Sequence, residues 1–222
     1  PLRLGRGAQT EVEERLRAAR TNVLHALSHG ARQVVVVTSA GPREGASTTA
    51  AGLARVLALS GHRVVLVGGD LRSPSAVGAP GAPGLAEVLV GTARLSQVLV
   101  EGEVPGLELL PAGDMPGNPS ELLGGRNMSD LLHHLAADRI VIIDAPPVCR
   151  FTDAVVLAEY AGGVLLVARA GRTSAEELRE AALAVGQGGG HMLGVVLTNV
   201  SDLGRGSRSA QTAVTHAESA TV

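Results

Sequence analysis

Residues 34–54 read VVVVTSAGPREGASTTAAGLA, and this stretch restricts the fold more tightly than any other. The consecutive valines Val34 to Val37 suit a short strand buried on both faces, because β-branched side chains pack well on a pleated sheet. A glycine-bearing turn follows, and Ser47-Thr48-Thr49 opens an alanine-rich helix. A strand running through a tight turn into a helix N-terminus brings unpaired backbone amides and the positive end of the helix dipole to one point. That layout cradles phosphate. The phosphate-loop pattern is Gly-x4-Gly-Lys-Ser/Thr. The matching window is Ala40, Gly41, Pro42, Arg43, Glu44, Gly45, Ala46 and Ser47, with Thr48 next. The turn glycine and the magnesium-binding hydroxyl of Ser47 are present, but the lysine is replaced by Ala46.

The rest of the chain alternates helices with buried strands. Thr10 to Leu27 predicts a helix, with capping-box spacing at Thr10 and Glu13 and an apolar stripe through Val12, Leu16, Val23 and Leu27. Its polar side carries Glu14, Arg17 and Arg20, which by themselves read as a solvated face with weak internal ion pairs. Arg63 to Gly69 predicts a second buried strand followed by Asp70, a residue that suits either a turn or the ligand crevice at the end of a parallel strand. One or two short helices fall within Leu85 to Val100, a strand at Leu107 to Leu110, and helical structure from Asn118 through Ala137. Arg139 to Asp144 (RIVIID) is an apolar strand ending in a carboxylate, the form of a magnesium-coordinating strand end. A helix at Asp153 to Tyr160, a strand at Gly163 to Ala168, a helix at Ser174 to Val185 and a strand at Leu193 to Val200 complete the pattern. The alternation argues for an α/β fold with a mostly parallel sheet covered on both faces.

Composition narrows the chemistry. With 222 residues and a net charge of −2, the chain is one ordinary domain without the basic footprint of a nucleic-acid binder. The basic residues are nineteen arginines with no lysine, so no lysine elsewhere can replace the one missing from the loop. A lone Cys149 excludes an internal disulfide and a cysteine metal cluster, and reads as an incidental thiol in a reducing compartment. His133 and His134 are adjacent on a helix and diverge, so they do not share a metal. No apolar run reaches the roughly 18 residues that cross a bilayer. The chain begins at Pro1 without Met, as expected of a piece cut from a longer polypeptide.

The order Glu14/Arg17/Arg20, Thr38-Ser39, Pro42, Glu44-Gly45, Ser47-Thr48-Thr49, Asp70-Leu71-Arg72, Asn118-Pro119-Ser120-Glu121-Leu122-Leu123, Asp144-Ala145-Pro146-Pro147 and Asp153-Ala154 resembles the bacterial tyrosine autokinases of capsule and exopolysaccharide assembly. The resemblance spans Glu11 to Val200. It implies a phosphate-loop fold close to the Min/Par ATPases, with residues 1–9 an N-terminal extension and 10–200 a kinase-like domain, while 201–222, polar, Ser/Thr/Ala/Gly-rich and aperiodic, reads as a disordered tail. It implies ATP or ADP on residues 40–48, Mg2+ held by Ser47, Asp70 and Asp144, and Asp70 and Asp144 as the catalytic carboxylates. It also moves Glu14, Arg17 and Arg20 from a solvated face to the contact that closes a ring of copies. The implied partner is a membrane protein that governs polysaccharide chain length, fused or separate, which places the domain in the cytoplasm at the inner face of the membrane.

Three departures touch the chemistry. Ala46 removes the charge-assisted contact to the β/γ-phosphates. Gly68 stands where the resemblance expects the first of two carboxylates, a base for the tyrosine hydroxyl, leaving Asp70 as metal support. After Val200 there is no tyrosine; the only one in the chain, Tyr160, reads as structural. Arg43 and Arg72 are the nearby cations to be considered as substitutes for the lysine. These losses point to an impaired kinase-like module that assembles rings, or to a kinase acting only on partner chains; a Min/Par-type positioning ATPase ranks behind both, since the signature lysine of that group would fall at Gly41 and Pro42 departs from it as well. On either reading, Ala46→Lys together with Gly68→Asp is expected to raise phosphoryl transfer.

Overall fold

A period-two alternation, hidden in the sequence by strands that are apolar at every position, organises the tertiary structure. The structure is a computed structural model describing residues 6–28, 32–73, 77 and 81–200. Helix α1 (Arg6–Ser28) leads into β1 (Val34–Ser39), α2 (Ala46–Leu59) and β2 (Val64–Gly68). Two short helices, α3 (Leu85–Val90) and α4 (Leu95–Val98), precede β3 (Val100–Glu101) and β4 (Leu107–Leu110). Helices α5 (Pro119–Leu123) and α6 (Arg126–Ala136) run to β5 (Ile140–Asp144), and α7 (Asp153–Ala158), β6 (Gly163–Arg169), α8 (Ala175–Gln187) and β7 (Met192–Thr198) complete the chain.

The sheet order is β3-β4-β2-β5-β1-β6-β7, parallel throughout except for the antiparallel edge strand β3. Val35, Val37, Leu66, Ile142 and Leu165 turn to one face and pack against α1 and α2. Val34, Val36, Val67, Ile143 and Leu166 turn to the other, where α3 and α5–α8 cover them. Successive side chains on a strand point to opposite faces, so one apolar run supplies two cores. On the first face Gly52 lets the helices touch: a Cβ there would sit 2.5 Å from Cδ1 of Leu16.

Several boundaries differ from the sequence expectation. Helix α1 begins at Arg6, so Thr10 lies inside it and its capping box is not the start; nothing in Arg6-Gly7-Ala8-Gln9 forces a break. Part of the expected 1–9 extension is therefore helix, while residues 1–5 and the whole tail 201–222 lie outside the described residues. The helical stretch from Asn118 divides at Gly124-Gly125 into α5 and α6. Strand β3 is two residues long, too short to leave a periodic signal. The helix from Ser174 matches closely, its capping box formed by Ser174 and Glu177.

Leu53 is fully buried between α2 and the sheet, whereas Leu183 is 63% exposed on α8. Leu53→Ala is expected to cost about 2–5 kcal/mol in urea unfolding, and Leu183→Ala less than about 0.5 kcal/mol.

Candidate functional site

The sheet register stops three strands at one level. Val37 pairs with Asp144, and Asp144 pairs with Gly68, so the ends of β1, β5 and β2 form one rim. At the β1 end the buried Thr38 hydroxyl donates to Pro146 O at 2.7 Å, and Ser39 Oγ donates to Gly41 O at 2.8 Å. The chain then turns through Arg43 (φ 62°) and Gly45 (φ 100°), both left-handed, and α2 starts at Ala46. Left-handed residues set within ordinary backbone turn successive amides inward as an anion-binding nest. The first amides of α2 lack intrahelical acceptors and face the same concavity. The residues present therefore fit a phosphate chain. What is missing is charge: Ala46 is half-buried at the margin of the α1/α2 core, and its methyl group offers no donor.

The loop is braced from β6 and β7 by residues that the sequence did not single out. Thr198 Oγ1 donates to Glu44 O at 2.6 Å, and Arg169 Nη1 donates to Arg43 O at 3.3 Å. Glu44, only 4% exposed, accepts the Thr173 hydroxyl at 2.7 Å, and Thr173 Oγ1 accepts the Arg169 amide at 2.8 Å. Oε2 of Glu44 is buried with no hydrogen-bond partner. Thr198, Arg169 and Thr173 share one signal: each sits at or just past the C-terminal end of a strand, on the rim that holds the loop.

On the acidic side, Asp144 is 1% exposed at the end of β5, and its carbonyl accepts the Gly69 amide at 2.8 Å. Asp70 lies just past β2 and accepts the amides of Arg72 (3.1 Å) and Ser73 (3.2 Å). Burial raises its carboxyl above the usual carboxylate range, with those two amides pulling the other way. Both expected metal carboxylates thus come to the same rim as Ser47 in the first turn of α2. Among the described residues no three His, Cys, Asp or Glu side chains converge on a metal position. A magnesium ion here would rely on two carboxylates, a hydroxyl, phosphate oxygens and water, its ordinary mode in phosphate sites.

Arg72 does not substitute for the lysine. Its Nε donates to Asp153 Oδ2 at 2.6 Å and its Nη2 to Asp153 Oδ1 at 3.0 Å, and the guanidinium lies 4.6 Å from the Phe151 ring centroid. Nη2 also donates to Ser120, whose hydroxyl is hydrogen-bonded to Asp153. Asp153 is fully buried; burial raises its carboxyl, but the bonds from Arg72 and Ser120 outweigh this and hold it below the usual range. The network locks the segment after β2 to the starts of α5 and α7. Arg43 remains exposed on the loop itself.

The other sequence expectations fall as follows. Tyr160 donates its hydroxyl to Gly124 O at 3.0 Å, a structural role. Cys149 is exposed, but partial desolvation and then Glu180, Glu177 and Glu44 push its thiol up, away from a reactive thiolate. Arg17 and Arg20 line a groove of about 310 Å³ between α1 and α2, with Val56 and Leu59. Arg20 Nε is buried there without a hydrogen-bond partner. The Glu14 side chain lies outside the described residues.

No family model matches the chain. The tyrosine-protein kinase YwqD of Bacillus subtilis is 36% identical over 188 residues, covering 83% of this chain and 79% of the relative. The tyrosine-protein kinase ptk of Acinetobacter johnsonii is 34% identical over 191 residues, and there the match covers 84% of this chain but about a quarter (26%) of the relative. The kinase domain of the Escherichia coli tyrosine kinase ETK superposes with a TM-score of 0.82 at 30% identity, covering 89% of this chain and 79% of that one. The cell-division ATPase MinD of Pyrococcus furiosus superposes at 0.63 with 21% identity over 76% and 73% of the two chains, a likeness of fold alone.

Removing Arg72 strands a buried carboxylate. Arg72→Ala is expected to cost about 3–5 kcal/mol in urea unfolding at pH 7, and the double change Arg72→Met/Asp153→Leu less than that. Because the folded carboxyl of Asp153 is held low, its contribution is present above the ordinary carboxylate range and lost as pH falls through the folded value. Asp153→Asn should therefore flatten the loss of stability below about pH 4.

Proposed function

The chain belongs to the bacterial tyrosine-protein kinase family, and from that premise we propose that it is a catalytically impaired member that binds nucleotide, self-associates and regulates capsular or exopolysaccharide assembly. The observation that carries the reading is an intact phosphate cradle whose lysine position is filled by the methyl group of Ala46. The loop amides and the start of α2 hold the phosphates of ATP or ADP. Ser47, Asp70 and Asp144 would hold Mg2+, which, when bound, neutralises charge on the β- and γ-phosphate oxygens. The left-handed residues fix where the amides point, and Thr198, Arg169 and Thr173 keep the loop from rearranging. Asp144 and Asp70 orient the metal side. Without a lysine, nothing fixed on the loop moves with charge as the terminal phosphoryl group leaves, so transfer suffers more than binding.

The groove beside Arg17 and Arg20 supports self-association. Arg20 Nε has no acceptor among the described residues, and Leu59 leaves 55% of its surface exposed beside it. An acceptor supplied by a second copy satisfies that buried donor. The ring contact, a membrane-anchored chain-length protein as partner and a position at the inner face of the membrane complete the proposal.

Titration with a fluorescent ADP analogue in Mg2+ checks the binding step. The unmodified chain is expected to bind, Ala46→Lys to bind roughly tenfold to a hundredfold tighter, and Asp144→Asn to lose the magnesium dependence. Incubation with labelled ATP and a tyrosine-bearing peptide is expected to give label at background; transfer at the pace of an intact kinase refutes the impaired reading and favours a kinase acting on partner chains. Arg17→Glu with Arg20→Glu is expected to move the sedimentation coefficient to that of a monomer, and an unchanged coefficient in an oligomeric preparation removes the interface.

A further inference from the structure

Residues 68–70, at the end of β2 and just past it, are the places where a carboxylate could stand beside Asp144. In the strand order β4-β2-β5-β1, the phosphate loop follows β1, Asp144 ends β5, and β2 ends one strand farther from the loop. The resemblance expects a base for an acceptor hydroxyl at the end of β2. Asp70 is already turned toward the amides of Arg72 and Ser73. A Cβ at Gly69 would lie 2.6 Å from Ile143 Cγ2 and 3.0 Å from Asp144 O, so no side chain fits there. Only position 68 is left.

Position 68 is closed by backbone. A Cβ on Gly68 would come 2.8 Å from the amide nitrogen of Ala112 and 3.3 Å from its Cα, contacts that a main chain cannot relieve by rotating a side chain. The turn carrying Ala112 is itself fastened. Leu85 N donates to Pro111 O at 2.7 Å, and Ala86 N to Ala112 O at 3.0 Å. Glu87 clamps the far side, its Oε1 accepting the Asp114 amide at 3.0 Å and its Oε2 the Gly84 amide at 2.6 Å. Gly84 and Gly113 are needed for this closeness: a Cβ at Gly84 would lie 2.1 Å from Pro111 O, and one at Gly113, where φ is 83°, would lie 2.1 Å from Glu87 Oε2.

We infer that the turn at residues 111–114 is a built-in block on the end of β2, locked against it by glycines 68, 84 and 113, so that no carboxylate can stand at position 68 to serve as a base. The inference rests on the proposed reading of the crevice as a nucleotide site. It corrects the expectation that Ala46→Lys with Gly68→Asp revives transfer: the lost carboxylate is not an empty place waiting to be refilled.

Alanine substitutions of glycines test the lock without any ligand. Gly68→Ala is expected to lower the melting temperature by roughly 5 °C, while Gly117→Ala, where a Cβ meets nothing within 4 Å, leaves it unchanged. Glu87→Ala keeps every glycine and is expected to speed amide exchange at residues 111–114 by roughly tenfold, with β2 and β5 still protected. Ala46→Lys/Gly68→Asp is expected to put no label on the tyrosine peptide. A Gly68→Ala melting curve identical to the parent, exchange unaltered by Glu87→Ala, or labelling by the double variant would each overturn the block. Failure of the unmodified chain to bind the ADP analogue would instead remove the nucleotide reading and leave the glycine lock standing.

Discussion

Everything at the rim follows from the register of three parallel strands, in which Val37, Asp144 and Gly68 lie side by side. Parallel pairing fixes the relative advance of neighbouring strands, and burial on both faces forbids a slip, because a one-residue shift would exchange the two cores. The phosphate loop, the buried carboxylate of Asp144 and the end of β2 are therefore brought together by hydrophobic packing far from the site. The loop needs little more than left-handed backbone at Arg43 and Gly45 to turn from strand to helix. Its braces, Thr198, Arg169 and Thr173, come from the two strands on the opposite side of β1 from Asp144 and from the turn after β6.

Charge at this rim is carried by acids and arginines alone. The chain carries nineteen arginines and no lysine. Arginine suits planar, two-pronged pairing with a carboxylate, and Arg72 and Asp153 pair in that way, with Phe151 against the guanidinium. A cation so engaged is a structural fastener, joining the segment after β2 to the beginnings of α5 and α7. Arg169 likewise acts through the loop backbone, by holding the Arg43 carbonyl. The loop thus keeps its inward backbone dipoles while Arg72 and Arg169 serve the framework.

Sequence and structure agree most closely where a local pattern suffices. The strand at Val34, the helix from Ala46 and the helix opening at Ser174 need only nearby residues, and they form close to where the pattern places them. The start of α1 differs because Thr10 offers a cap that an uninterrupted helical stretch does not use. Arg72, considered as a substitute for the lysine, is instead engaged by Asp153, 81 positions away, which no local pattern reveals. Thr198 and Glu44 are 154 positions apart, so no window of sequence couples them.

The amino-acid order by itself determined an α/β sheet, a phosphate cradle lacking its lysine, and carboxylates at two strand ends, because hydrophobic periodicity, turn chemistry and motif spacing are local properties. Tertiary structure alone decided which arginines are engaged, what braces the loop, and that the missing side chain at Gly68 leaves no vacancy, since the backbone of Ala112 already lies against it. A glycine in a sequence records only that no side chain is present; whether solvent or main chain occupies the space depends on how distant segments pack.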